Sequence, residues 1–132
     1  MNKRKSLKKQ LRKGYRYKKF MSVIEVKSLL NSTSKDCHEK IYASLAVGCV
    51  KINAVLFPTP NGMTFGCDIL VKDKPNSQEW ICYDSLAEPF KYNSLNLEQE
   101  LFETLDKAVR EHKLSYTDCN FEKLNGKNVS KI

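Results

Sequence analysis

"CVKINAVLFPTPNGMTFGCDILV", Cys49 to Val71, is the stretch on which the fold turns. In its first half Val50, Ile52, Ala54 and Leu56 recur at every second position. In its second half Met63, Phe65, Cys67, Ile69 and Val71 do the same, opposite Thr64, Gly66 and Asp68. A period of two puts each set on one face of a β-strand. Between them "PTPNG" breaks the chain, and Asn61-Gly62 is a strong hairpin signal. "DKPNS" (73–77) turns the chain again, and "EWICYD" (79–84) reads as a third strand of the same antiparallel meander.

Toward the N-terminus the next stretch, "SKDCHEKIYASLAVG" (34–48), has two readings. As a helix it takes Ser34 as N-cap, puts Cys37, Ile41 and Leu45 on one face and ends at Gly48. As a strand it alternates Ile41, Ala43, Leu45 and Val47. The helix is the preferred expectation. Further back, "SVIE" is a capping box: the Ser22 side chain accepts from the Glu25 N–H, and the Glu25 carboxylate accepts from the Ser22 N–H. Val23, Val26, Leu29 and Leu30 follow at helical spacing until "NSTS" ends the run. Toward the C-terminus a helix is expected from Leu97 to about Lys113. Asn96 precedes it as cap, and Leu97, Leu101, Leu105, Ala108, Val109 and His112 form its apolar stripe. Glu98 and Glu100 in its first turn and Arg110 and Lys113 in its last suit the helix dipole. "LSYTDCNFEKL" (114–124) can add a fourth strand. The expected fold is α+β: a small antiparallel meander of three to four strands with one apolar face covered by helices, a single domain over residues 21–132.

Charge divides the chain at the same boundary. Of its 23 Lys and Arg, ten lie in residues 1–20, which hold no Asp or Glu. The remaining 13 face 15 acidic residues, so the body is about −2 while the leader is +10. Met21 stands at the junction, where a second start would yield a form lacking the leader. No apolar run of about 18 residues is present to span a membrane, and the leader has no apolar stretch of the secretory type. Five cysteines, an odd number at wide spacing, do not form a disulfide framework; reduced thiols and a cytoplasmic setting are expected.

Catalytic and metal chemistry find little support. A structural zinc site needs close pairs of cysteines, and Cys37, Cys49, Cys67, Cys82 and Cys119 are at least twelve residues apart. Neither His38 nor His112 has an evident thiol to activate. Asp68, Glu79 and Asp84, with Lys72 nearby, are the carboxylate set a metal-dependent nuclease could use, but solvent-facing strand positions commonly carry such residues and surface solvation is the preferred reading. Trp80 and Tyr83 could stack on bases at an exposed sheet face, although a small core also needs aromatics. No catalytic residue, metal ligand or cofactor is therefore assigned.

The leader is different. In "KKQLRKGYRYKKF" (8–20), Lys8, Lys9, Arg12, Lys13, Arg16, Lys18 and Lys19 interleave with Tyr15, Tyr17 and Phe20. Lys and Arg neutralise phosphates and release counterions, and aromatic rings stack on unpaired bases. Such a segment carries affinity without a base code. It is expected to be disordered alone and ordered on a partner. The expected partner is nucleic acid, RNA more than DNA, or a nucleoprotein, and no membrane. The alternatives are a protein-interaction module whose leader only steers association, and the nuclease above.

The layout resembles that of small phage anti-CRISPR proteins that inhibit type II CRISPR nucleases. The resemblance is carried by "RKGYRYKKF" (12–20), "NLEQELFETLDKAVREHKL" (96–114) and "SYTDCNFEKL" (115–124), as an arrangement rather than a residue motif. It implies a non-catalytic inhibitor whose basic arm engages a guide-RNA nucleoprotein and whose body blocks it.

Overall fold

A computed structural model of the chain describes residues 14–31, 38–74, 76–86, 90 and 95–119. Its elements are β1 (Tyr15–Lys19), α1 (Val23–Leu30), β2 (Lys40–Val47), β3 (Val50–Thr59), β4 (Gly62–Lys72), β5 (Trp80–Leu86) and α2 (Leu97–Glu111). The strands form one five-stranded sheet in the order β1-β2-β3-β4-β5, every neighbouring pair antiparallel. The α+β class stands, with a larger meander than the three to four strands expected.

The central hairpin pairs Val50 with Val71, Ile52 with Ile69, Ala54 with Cys67 and Leu56 with Phe65, so the two alternating apolar sets share one face. Its turn lies one residue earlier than the Asn-Gly signal suggests. Thr59 pairs with Gly62, which leaves Pro60 and Asn61 at the tip. The Thr59 hydroxyl donates to the Gly62 carbonyl at 2.7 Å and accepts from the Asn61 N–H at 3.3 Å, holding the turn there.

The preferred helix over 34–48 is corrected to strand β2. Between two strands, its backbone groups are taken up by β1 on one side and β3 on the other. A bulge between Ile41 and Ala43 makes Tyr42 an extra residue, and it resets the alternation. Ile41 is left 41% exposed, while Tyr42, Ala43, Leu45 and Val47 are fully buried. Gly48 ends no helix. With φ 60 it is the first central residue of the two-residue turn joining Val47 to Val50, a position that favours glycine. A Cβ there would also sit 2.0 Å from the Tyr116 carbonyl oxygen. Ser34 and Cys37 lie outside the described residues.

The boundary at Met21 is corrected too. Tyr15–Lys19 forms an edge strand on β2, pairing Tyr15 with Val47 and Tyr17 with Leu45, so the folded unit takes in part of the leader. Burial of both tyrosines against the core explains this: Tyr15 meets Phe102 of α2 at 6.0 Å between ring centroids. Its hydroxyl also donates to Glu98 at 2.8 Å. The rest of the leader, residues 1–13, lies outside the described residues.

Both helices start where expected. The α1 capping box is complete, at 3.1 and 3.2 Å. In α2, Leu97, Leu101, Leu105, Ala108 and Val109 are buried, joined by Phe102 and Asp106. The Asn96 side chain makes no cap bond to α2; the Asn96 backbone carbonyl accepts the Glu100 N–H at 2.9 Å. His112 is the C-cap and stands half-exposed against Tyr83, at 5.1 Å between centroids, rather than within the buried stripe. Val26 of α1 and the α2 stripe share one core cluster with Leu45, Ile52, Leu56, Cys67, Ile69 and Val71.

Past α2, Leu114–Cys119 forms no strand; residues 120–124 are outside the described set. The segment instead crosses the β2–β3 turn. The Cys49 N–H donates to the Tyr116 carbonyl at 2.7 Å, and Cys49 and Cys119 are joined as a disulfide across a Cα separation of 5.3 Å. The expectation of reduced thiols fails at this pair, because the fold brings together two residues 70 positions apart. Cys67 is a buried thiol and Cys82 an exposed one. Tyr116 is tied to α2 as well: its hydroxyl donates to Asp106 at 2.7 Å, and Arg110 pairs with the other Asp106 oxygen. Among the described residues, no helix is long and apolar enough to cross a membrane.

Candidate functional site

The two faces of the sheet follow from register. Residues directly opposite on neighbouring strands point the same way. With Tyr15, Tyr17, Leu45 and Ile52 turned toward the helices, their sequence neighbours turn away from them. This opposite face carries cross-strand rows that run over all five strands. One row reads Arg16, Ala46, Lys51, Leu70 and Cys82; the next reads Lys18, Ser44, Asn53, Asp68 and Ser85. At the turn end, Lys72 pairs with Trp80, and the Lys72 N–H donates to the Cys49 carbonyl at 3.0 Å.

Small side chains at Ser44, Ala46 and Gly48 leave a hollow between the taller residues on either side. The result is a groove of about 720 Å³. Its lining includes Arg16 and Lys18 from β1, Lys51 and Lys72 from β3 and β4, and Trp80 from β5. Tyr116, Thr117 and Cys119 line it as well, so the disulfide-held segment belongs to its wall. Among the described residues, no carboxylate lines it. Among the described residues, none of the four cations forms an ion pair.

The indole of Trp80 takes the place of an acid. The Lys51 and Lys72 ammonium groups lie 5.3 and 5.2 Å from its ring centroid. Cation–π attraction of this kind holds a lysine without neutralising it. Lys51 is partly stripped of water, and that burial pushes its pKa below the usual lysine value. A desolvated ammonium with no carboxylate partner gains strongly from an incoming anion.

The residues expected to bind divide by parity. Arg16 and Lys18 stand in the groove. Lys19 is exposed at the end of β1, and Phe20 is 48% exposed with the Lys18 ammonium 5.0 Å from its ring centroid. Tyr15 and Tyr17, also expected to bind, are partly buried on the helix-covered face and pack against the core. Burial, then the Glu98 contact, pushes the Tyr15 hydroxyl pKa well above its usual value. Lys8, Lys9, Arg12 and Lys13 lie outside the described residues.

Trp80 and Tyr83 separate in the same way, Trp80 to the groove and Tyr83 to the core against His112. The nuclease carboxylates do not converge. Asp68 accepts from the Ser85 hydroxyl at 2.8 Å on the face away from the helices. Asp84 sits opposite Ile69, 3.6 Å from His112 on the helix side. Glu79 is exposed ahead of β5. No group of three or more His, Cys, Asp or Glu among the described residues is placed to hold a metal ion.

Lys51, Lys72 and Trp80 were not foreseen as one site, although the alternation of β3 and β4 already puts Lys51 and Lys72 off the apolar face. Joining them to Arg16 and Lys18 requires β2 to be a strand. No family model, curated protein or solved structure matches this chain.

Proposed function

We propose that this protein is a non-enzymatic nucleic-acid-binding protein, acting on RNA rather than DNA, free or within a nucleoprotein. The observation that carries the reading is the groove with four cations and, among the described residues, no carboxylate, reached from β1, directly after a leader with seven more cations before Gly14. A phosphate backbone is the anion that matches such a spread of separate positive charges, since each phosphate contact releases condensed counterions. The layout resemblance to phage inhibitors of type II CRISPR nucleases supplies the preference for RNA. It extends the proposal to a guide-RNA nucleoprotein as target.

The test is binding of a labelled RNA by fluorescence anisotropy between low and moderate salt. Full-length protein is compared with a variant whose seven cations before Gly14 are changed to Gln. The logarithm of the affinity should fall linearly with the logarithm of salt for the native chain, and the variant should show a weaker affinity and a shallower slope. Equal affinity and equal slope for the two proteins would overturn the reading.

A further inference from the structure

We infer that the groove takes a single strand, with one unpaired base stacked on Trp80 and the neighbouring phosphates on Lys51, Lys72 and the β1 cations. The inference rests on the nucleic-acid reading above and adds to it which form of nucleic acid the site accepts.

Three observations favour a single strand over a duplex. The first is the ring itself. Trp80 lines the cation-bearing groove rather than the core, with two ammonium groups about 5 Å from its centroid. A duplex keeps its base faces stacked inside and has nothing to offer an indole, whereas an unpaired base does. The second is shape. The groove is a hollow of about 720 Å³ over the small residues Ser44, Ala46 and Gly48. It lies on the sheet face turned away from both helices, so neither helix is placed there to enter a duplex groove. The third is reach. From β1 to β5 the face spans four strand spacings, roughly 19 Å. Cations stand along this width and the aromatic at its far edge, which suits an extended chain of a few nucleotides running across the strands.

The lysines then have a defined role. In the free protein they lean on Trp80. When a base arrives on the indole, they exchange the ring for phosphate, so no charge has to be brought in from outside.

Trp80 is the only tryptophan in the chain and reports on its own site. The experiment titrates full-length, oxidised protein with an oligouridylate of about twelve nucleotides, a length within the range that single-strand modules cover. A blunt RNA duplex of the same length is the comparison. Trp80 emission and the anisotropy of the labelled nucleic acid are read together. The single strand should quench Trp80 saturably over the same concentrations that raise anisotropy, and should bind about tenfold or more tighter than the duplex. Trp80→Leu should lose about tenfold for the single strand and little for the duplex, the size of one base–aromatic stack, while Trp80→Phe keeps most of it. Binding of the single strand without a change in Trp80 emission, or equal binding of both forms, overturns this inference and leaves the nucleic-acid reading standing. Binding of neither overturns both.

Discussion

One sheet presents two unlike faces, and strand β1 shows the contrast within five residues. Tyr15 and Tyr17 turn toward α2 and the core, while Arg16 and Lys18 turn into a groove lined by no carboxylate among the described residues. The same alternation divides β3, where Ile52 is fully buried under the helices and Lys51 beside it lines the groove. On the helix-covered face, removal of apolar area from water supplies stability. On the other, four like charges stand around one groove with no carboxylate among its described lining residues, an arrangement that costs stability and is favourable when an anion arrives. Stability and binding are thus assigned to opposite parities of the same strands.

That assignment can be broken from either side. The largest effect expected is Leu101→Ala in α2, where a fully buried side chain is cut back. It should cost about 2–5 kcal/mol in denaturant unfolding, and the folded fraction should bind RNA with unchanged affinity. A parallel loss of affinity per folded molecule would mean that the faces are not independent.

Cys119→Ser sharpens the contrast, because the Cys49–Cys119 link lies beside the groove and yet belongs to stability. Opening a loop of 70 residues should cost about 2–4 kcal/mol, read as a lower denaturation midpoint. An unchanged midpoint under oxidising conditions would show that the link adds nothing to the native state.

Lys51→Gln and Lys72→Gln should do the reverse. Burial lowers the Lys51 pKa, so its charged form is disfavoured by folding, and neutralising it removes that cost. Each change should leave stability within about 0.5 kcal/mol or raise it. Each should also reduce the salt slope of RNA binding by about one. Unfolding of either variant at neutral pH would contradict the division.

The smallest effect is in the alkaline range. Burial, then the bond to Asp106, raises the Tyr116 pKa; burial and Glu98 do the same for Tyr15. Folding therefore favours the protonated phenols. Their contribution is complete below about pH 10, the ordinary tyrosine value, and is lost as pH rises beyond it. The denaturation midpoint should hold steady from neutral pH to about 9 and then fall, less steeply in Tyr116→Phe. A variant falling as steeply as the native chain would remove Tyr116 from this account.

Residues 1–13 lie outside the described residues, and truncation at Met21 is not a clean way to test them. It would strip β1 from the edge of β2 together with the leader. Changing charges before Gly14 alters no residue of the described strands and is the sounder comparison.

How much of this was legible depended on how local the signal was. The hairpin over β3 and β4, the α1 capping box and the buried stripe of α2 could be read because each is written in residues a few positions apart. Strand β2 was harder: "KIYASLAV" (40–47) fits a helical face as well as an alternation, and the bulge at Tyr42 disturbs the alternation itself. Strand β1 was concealed by its charge. Two tyrosines among basic residues read as a leader until a neighbouring strand gives them a face to bury.

The sequence by itself determined the α+β class, the helix starts and the concentration of positive charge before Met21, since these depend on periodicity, capping and composition. Only the tertiary structure decided that Tyr15–Lys19 joins the sheet, that Cys49 meets Cys119, and that Arg16, Lys18, Lys51, Lys72 and Trp80 share one groove. Those outcomes depend on which strand lies beside which and in what register. A shift of one residue would turn every side chain to the other face.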